Sequence, residues 1–128
     1  MIFVDTNVLM YAVGRAHPLR GEAREFFESA MTRDSNELCT SAEVLQELVH
    51  AYMPVGRFGT LDAALTLADS CIATVYPIEA DDVRSARLLA ERHRDLGARD
   101  LIHLAVCLRH SISEIRSFDR GLVAAFGG

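Results

Sequence analysis

The chain contains no lysine: all 13 of its basic residues are arginine. This absence excludes the phosphate-binding loop of nucleotide hydrolases, whose lysine reaches the phosphates. It also excludes mechanisms that use a Schiff-base lysine or a lysine general base. Catalytic chemistry in this chain must therefore rest on carboxylates, histidine, arginine and hydroxyl groups.

Cysteine and long apolar runs are scarce as well. Cys39, Cys71 and Cys107 are too far apart in sequence to form a zinc knuckle or a redox motif, so we expect them to be small buried hydrophobic residues. The only apolar run at the N-terminus, residues 2–4, ends at Asp5, and no stretch approaches the length of a membrane-spanning helix. We therefore expect a soluble, cytoplasmic protein without a signal peptide.

Positive charge is not in excess either, since the formal net charge is -5 at pH 7. Binding of nucleic acid by bulk electrostatics scales with the phosphates that basic groups neutralise, so any contact with nucleic acid must be local. The chain has 128 residues, of which 50% are hydrophobic. This length allows one domain with a real core and is too short for two, so we predict a single domain over residues 1–128.

Short apolar segments alternate with amphipathic segments along the chain. We predict strands at 2–4, 37–39, 74–78 and around Ile115, and helices at 8–13, from His17 to about 30, 40–53, 61–72, 83–90 and 100–108, with a closing helical turn or two at 120–126. Strands that alternate with helices of about 10 to 15 residues favour a parallel sheet covered on both faces. Thr40 and Glu43 match a capping box at the start of the third helix, and Gly97 is predicted to end the fifth.

Four carboxylates fall at notable places in this pattern. Asp5 and Asp119 follow the first and last strands, Asp100 lies in the first turn of an apolar helix, and Glu47 projects from the third helix. Ligands of open α/β sheets bind beyond the carboxyl ends of the strands. Each aspartate also has a purely structural explanation, because aspartate is favoured as the cap of the helix that follows.

The order of these motifs carries more information than any one of them. Asp5-Thr6-Asn7 after an N-terminal strand, then SAEVLQEL, ARDLIHLA and SFDRGL, resembles the PIN-domain nucleases over nearly the whole chain. The length looks most like the VapC toxins of bacterial toxin-antitoxin pairs. The resemblance implies a three-layer α/β/α fold with a short-stranded, mostly parallel central sheet. It also implies a catalytic and metal-binding set formed by Asp5, Glu47, Asp100 and Asp119.

Carboxylates gathered in one cleft repel one another and need a cation. Oxygen ligands select hard ions, so we expect Mg²⁺ or Mn²⁺. The resemblance implies an endoribonuclease that leaves a 5′-phosphate and a 3′-hydroxyl, with tRNA or rRNA as candidate substrates. Lower-ranked candidates lie around the four acids. Thr6, Asn7 and Ser117 match positions that orient water, metal or phosphate, His103 lies on the helix face of Asp100, and Arg99 and Arg116 are candidates for contacting RNA phosphate.

The resemblance also implies two protein partners. One is a small antitoxin, bound through a helix in an apolar groove beside the cleft, and the other is a second copy of the chain in a homodimer. The apolar surfaces of the second to fourth helices are candidates for the antitoxin surface, and they include Tyr52, Met53, Val55 and Phe58. For Tyr52 we favour a place in the core.

Two alternatives remain open from the sequence. ELVH and DLIH each place a histidine, His50 or His103, three residues after an acid, which is the pattern of di-iron carboxylate four-helix bundles. The substitution of Asp for Glu in DLIH and the strand-like segments between the helices argue against it. The second alternative keeps the PIN-like fold but serves only as a non-catalytic module that binds RNA or a partner.

Overall fold

The computed structural model describes residues 1–33 and 37–127 of the chain. Its strands and helices are, in chain order, β1 Ile2–Val4, α1 Thr6–Val13, α2 Arg20–Thr32, β2 Leu38–Ser41, α3 Ala42–Tyr52, a short 3-10 helix Met53–Val55, α4 Phe58–Cys71, β3 Thr74–Tyr76, α5 Ala80–Leu89, α6 Ala98–Arg109, β4 Glu114–Arg116 and α7 Arg120–Gly127. This order confirms the predicted alternation of strands and helices.

The four strands form one parallel sheet in the order β3-β2-β1-β4. β1 lies inside the sheet, and its unbroken apolar sequence fits this place because Phe3 and Val4 are fully buried. Parallel strands end at the same edge of a sheet, so the residues that follow β1 and β4 meet there: Ile2 pairs with Glu114 and Val4 with Arg116. The predicted parallel α/β fold is confirmed, with a sheet flanked by helices.

Two hydrophobic clusters support this edge. The larger one joins the sheet to α1 through α4, and the smaller one lies between α5 and α6. Cys39, Cys71 and Cys107 are free and buried, as predicted, and burial raises the pKa of the Cys39 thiol to about 11. They are therefore packing residues rather than nucleophiles.

The predicted capping box at the start of α3 is wrong. Thr40 belongs to β2, and its buried hydroxyl donates to the carbonyl of Val4 at the end of β1, 2.8 Å away. A buried hydroxyl needs a partner, and the neighbouring strand supplies one. α3 begins after Ser41, and Glu43 lies 3.8 Å from the guanidinium of Arg99 instead.

The predicted end of the fifth helix at Gly97 is also wrong, because α5 ends at Leu89 and Gly97 is the N-cap residue of α6. α5 begins with a capping box that the sequence did not signal, since the N-cap residue is Glu79 and its partner is Asp82. Asp82 also accepts two hydrogen bonds from Arg109 of α6, at 2.7 and 2.9 Å, which lower the pKa of its carboxyl. The Asp82–Arg109 ion pair therefore holds α5 against α6, the helix that carries Asp100 and His103.

The di-iron bundle alternative is wrong as well. The strands join in a single sheet, which no four-helix bundle contains, and His50 is exposed on α3. In the part of the chain that the structure describes, no helix has both the length and the apolar character that crossing a membrane requires.

Candidate active site

Asp5 lies between the end of β1 and the start of α1. Its Oδ1 accepts the backbone N–H of Thr6 at 2.8 Å, so it caps α1, while its Oδ2 accepts the hydroxyl of Ser117 at 2.6 Å. The residue is only 4% exposed, and this burial raises the pKa of its carboxyl although the Ser117 hydrogen bond opposes the shift. The helix-capping explanation of Asp5 is therefore correct, and capping leaves the same carboxylate at the sheet edge.

The hydroxyl of Ser117, which follows β4, makes several hydrogen bonds beside Asp5. Besides donating to Asp5, it accepts the side-chain N–H of Asn7 at 3.3 Å and the backbone N–H of Asp119 at 3.0 Å. Asn7 in turn accepts the backbone N–H of Phe118 at 3.1 Å. These bonds tie the segment after β4 to the first turn of α1, so Asn7 and Ser117 hold the relative position of the two strand ends.

Glu47 reaches the same place from α3. Its Oε2 accepts the hydroxyl of Thr6 at 3.0 Å, and its Oε1 lies 2.5 Å from Nε2 of His103, which belongs to α6. The same Nε2 is 3.7 Å from Oδ1 of Asp5. Burial lowers the pKa of the His103 imidazole, but the hydrogen bond with Glu47 and the surrounding carboxylates outweigh it and raise the pKa above 6.5. His103 therefore lies between two acids, which favour the protonated form of its imidazole.

Asp100 lies in the first turn of α6 and is half-buried. No residue in the described part of the chain donates a hydrogen bond to its carboxylate. Burial is the main reason that its pKa is raised to about 6; the charges of Asp5, Asp119 and Glu47 act in the same direction, and His103 opposes the shift. The four predicted acids are therefore electrostatically coupled, and Asp100 is the one with the least compensation.

Asp119 is exposed and lies after β4. Its Oδ1 accepts the backbone N–H of Leu122 at 3.1 Å, so it caps α7 as the structural explanation proposed. That explanation does not hold for Asp100, which is not the cap of α6, because Gly97 occupies that position.

The donor set fits a hard divalent cation in chemical type. Four carboxylates offer oxygen ligands and an excess of negative charge that the single imidazole of His103 does not balance. Within residues 1–33 and 37–127, no three His, Cys, Asp or Glu side chains are arranged to hold one ion between them. Both oxygens of Asp5 and of Glu47 are engaged by hydrogen-bonding neighbours. The fit is therefore one of donor chemistry and charge rather than of a finished coordination shell.

The two arginines predicted to contact RNA already have partners. Arg99 is the ion-pair partner of Glu43, at 3.8 Å, and the guanidinium of Arg116 lies 4.9 Å from the ring centre of Phe26. Both residues are exposed, and each is next in sequence to a residue of the site, Asp100 or Ser117. Their role in RNA binding stays a prediction.

Fold and site together define an α/β protein that gathers acidic side chains beyond the carboxyl ends of its parallel strands, where open α/β proteins bind their ligands. The PIN domain profile matches residues 2–126 of the chain. Ribonuclease VapC23 of Mycobacterium tuberculosis is 56% identical over 126 residues, which cover 98% of each chain. Ribonuclease VapC13 of the same organism is 41% identical over 121 residues, covering 94% of this chain and 92% of its own.

A solved structure agrees with these sequence relatives. The crystal structure of Mycobacterium tuberculosis VapC20, a Sarcin-Ricin loop cleaving toxin, matches with a TM-score of 0.75 at 25% identity, and the match covers 98% of this chain and 95% of that chain. The chain belongs to the PIN domain family, among its VapC-type ribonucleases. The predicted family is confirmed.

Proposed function

We propose that this protein is a Mg²⁺- or Mn²⁺-dependent endoribonuclease toxin that hydrolyses RNA phosphodiester bonds at Asp5, Glu47, Asp100 and Asp119. The observation that carries the proposal is the approach of these carboxylates to one another at one edge of the sheet, where burial first, and then the charges of the other three acids, raise the pKa of Asp100 to about 6. Uncompensated negative charge at the edge of the sheet attracts a cation, which the carboxylate oxygens can then bind. Whole-length similarity to VapC ribonucleases supports RNA as the substrate.

The energetic argument for a cation is direct. Two unit charges 4 Å apart repel by roughly 4 kcal/mol at an effective dielectric of 20, and such repulsion is removed when a divalent ion lies among them. We assign the ion to Asp5, Glu47, Asp100 and Asp119. When bound, it supplies a lowered pKa for an attacking water and neutralises charge on the phosphoryl oxygens.

The residues of the chain position the site around that chemistry. Thr6 and Ser117 fix the two oxygens of Asp5, and Asn7 fixes Ser117, so the carboxylate is held without side-chain rotation. His103 and Thr6 hold Glu47 in the same way. Preorganised groups of this kind cost no rearrangement when the substrate phosphate arrives.

The test is incubation of the purified protein with a defined single-stranded RNA and with cellular RNA, in Mg²⁺, in Mn²⁺ and in EDTA. We expect internal cleavage with either ion and none in EDTA, with 5′-phosphate and 3′-hydroxyl ends. Cleavage that continues in EDTA, or ends that carry a 2′,3′-cyclic phosphate, would contradict the proposal, because the second product requires attack by the substrate's own 2′-hydroxyl. Mapping the ends also distinguishes a tRNA or rRNA target.

We further propose that an antitoxin restrains the enzyme by binding between α2 and α4. A cavity of about 590 Å³ opens there, and its lining is mostly apolar, with Phe27, Met31 and Leu67 among its residues and Arg24 and Asp62 at its rim. An apolar helix face fits such a groove. The groove lies on helices that the sequence suggested, but the four residues named from the sequence do not line it: Tyr52 is buried, as expected, while Met53, Val55 and Phe58 are exposed.

The groove assignment predicts the effect of one substitution. Ala63→Arg, at an exposed lining position of the groove, should weaken the antitoxin complex at least about tenfold, because it inserts a charge into an apolar interface. The measurement is titration with the product of a short reading frame adjacent to the gene. Ala124→Arg, at an exposed position of α7 outside the groove, is the matched control, and equal affinities for the two variants would refute the groove.

The remaining proposals concern assembly and place in the cell. We propose a homodimer that covers the exposed apolar side chains of α5 and α6, namely Val83, Leu88 and Leu108. Light scattering should then report twice the chain mass, and a monomer at high concentration would contradict it.

We propose that residues 1–128 act as one domain in the cytoplasm, where RNA substrates and the antitoxin are made. A fluorescent fusion that localises elsewhere would exclude this.

A further inference from the structure

A second cavity, of about 580 Å³, opens beside the acidic cleft. Part of its wall is the second half of α1 and the turn that follows, and the opposite part comes from the end of α3 and the residue before α4. Its aromatic and basic lining residues are Tyr11, Arg15, His17, Tyr52 and Arg57. None of the described residues that line it is acidic, which is notable in a chain with a net charge of -5.

Asn7 connects this cavity to the proposed catalytic site. It lines the cavity, and its side-chain N–H donates to the hydroxyl of Ser117, which donates to Asp5. Two hydrogen bonds therefore separate the cavity wall from the central carboxylate. A ligand in this cavity lies next to the cleft and not on a remote face.

Arg15, which lines the cavity, differs from the nearby Arg20 and Arg24 in its hydrogen-bond partners. Arg20 and Arg24 donate to the carbonyls of Gly14 and Ala12, at 3.5 and 2.9 Å, and so serve the end of α1. Arg15 is exposed and makes no hydrogen bond or ion pair with any described residue.

Arg57 is equally free of carboxylates. It donates to the hydroxyl of Thr60 at 3.4 Å, and its guanidinium lies 5.8 Å from the ring centre of Tyr52. No carboxylate in the described part of the chain pairs with it. Arg15 and Arg57 therefore leave two guanidinium charges available at the cavity.

Two aromatic rings are in contact on the wall formed by α1 and the turn that follows. The ring of His17 lies 4.5 Å from that of Tyr11 with a tilt of 36°, and the rings of Tyr11 and Phe118 meet edge to face at 5.4 Å. Nδ1 of His17 accepts the backbone N–H of Leu19 at 3.1 Å, so Nε2 is the ring nitrogen left for a ligand. The exposed imidazole therefore offers a ring surface and one hydrogen-bond donor.

We propose that this cavity binds one unstacked nucleotide of the substrate RNA, next to the phosphate that is cleaved. Arg15 and Arg57 contact the adjoining phosphate, and the base stacks on the His17–Tyr11 pair. Single-stranded nucleic acid is bound by this combination of cationic groove and aromatic platform. A base in a continuous duplex is already stacked on its neighbours, so the site selects a loop or a single strand. The inference rests on the proposed ribonuclease function and extends it to substrate class.

An acidic peptide is the competing occupant, since it would also use the two arginines. The rings favour RNA, because a base gains stacking energy on His17 and Tyr11 that a carboxylate does not. The two occupants therefore differ in their dependence on His17.

The test is equilibrium binding of a fluorescein-labelled single-stranded oligoribonucleotide to the Asp5→Asn variant, which reports on the cavity without cleavage. In this background Arg15→Gln/Arg57→Gln should weaken binding by about 10- to 100-fold. The slope of log K against log salt should become shallower by roughly 0.7 for each phosphate that an arginine no longer neutralises. His17→Ala should weaken binding by about tenfold with the salt slope unchanged.

Arg84→Gln/Arg87→Gln is the matched control, because it removes the same charge from exposed arginines of α5 that pair with Asp81 and Glu91. It should bind RNA within about twofold of the parent. Arg15→Lys/Arg57→Lys should retain most of the affinity, which separates loss of charge from loss of folding.

The assignment fails if Arg15→Gln/Arg57→Gln binds RNA as the control does. It also fails if that variant loses affinity only for an oligoglutamate peptide, or if His17→Ala leaves RNA binding intact. Failure of the ribonuclease proposal itself is read separately, as absence of cleavage by the wild type in Mg²⁺ and Mn²⁺.

Discussion

Asp5→Asn is expected to lower the rate of RNA cleavage in Mg²⁺ by about a thousandfold or more while the protein stays folded. Asparagine is as good a helix N-cap as aspartate, so the bond with the Thr6 N–H persists, and the amide still meets the hydroxyl of Ser117. The substitution removes a negative charge from the proposed cation site. A loss of about 4 kcal/mol of transition-state stabilisation corresponds to a thousandfold change in rate.

The measurement is the single-turnover rate on a labelled oligoribonucleotide at saturating enzyme. Asp69→Asn is the control, because Asp69 is exposed on α4 and the change in charge is identical. It should cleave at the wild-type rate. An Asp5→Asn rate within tenfold of wild type, in a preparation free of wild-type enzyme, would remove Asp5 from the catalytic set.

In EDTA the protein should become less stable as the pH rises from about 4 to 8. The pKa of Asp100 is raised from 3.8 to about 6 in the fold, so the folded state holds this proton more tightly than the unfolded chain, and this contribution to stability is lost as the pH rises from 3.8 through about 6. The pKa of His103 is raised above 6.5, so its contribution is present below pH 6.5 and is lost as the pH rises through its folded pKa. Both shifts have the same sign, and millimolar Mg²⁺ or Mn²⁺ should reverse the loss at pH 8.

Asp100→Asn tests the origin of this effect. It removes the repelling charge, so it should raise the melting temperature in EDTA at pH 8 by about 3 to 5 °C. That corresponds to about 1 kcal/mol after allowing for solvent screening of a half-buried group. The same variant should lose the stabilisation by Mg²⁺. Asp95→Asn, at an exposed position, should change neither quantity.

The opposite outcome would favour the non-catalytic alternative. If the wild-type protein shows no thermal shift in millimolar Mg²⁺ or Mn²⁺ at pH 8, the four acids do not bind an ion. The fold would then serve only to bind RNA or a partner. Thermal melts at matched ionic strength separate specific ion binding from general screening.

The sequence predicted the fold well where one local signal determines the element. The apolar run of β1 and the helix periodicities have no competing explanation, and parallel strands bring their carboxyl ends to one edge. This is why the placement of Asp5 and Asp119 was predictable. The start of α3 was not, because Thr40 satisfies either a capping box or a strand hydroxyl, and only the neighbouring carbonyl of Val4 decides between them.

Contacts between helices that are far apart in sequence could not be predicted from local residue spacing. Helical spacing paired Glu47 with His50, but His50 faces solvent, and the packing of α3 near α6 brings His103 to Glu47 instead. The basic and aromatic cavity is a similar case, since Arg15, His17 and Arg57 come from segments that show no common motif. Such sites depend on how elements pack, which periodicity does not encode.

The central claim is that the four acids converge on a single site for divalent cations. Crystals grown with Mn²⁺ at neutral pH, measured at the manganese absorption edge, test it directly. We predict one or two anomalous peaks in the cleft, with oxygens of Asp5 and Asp100 at about 2.1 Å and Glu47 and Asp119 turned toward the ion directly or through water. An empty cleft at saturating Mn²⁺, or a manganese ion bound elsewhere while these carboxylates point away, would contradict the account.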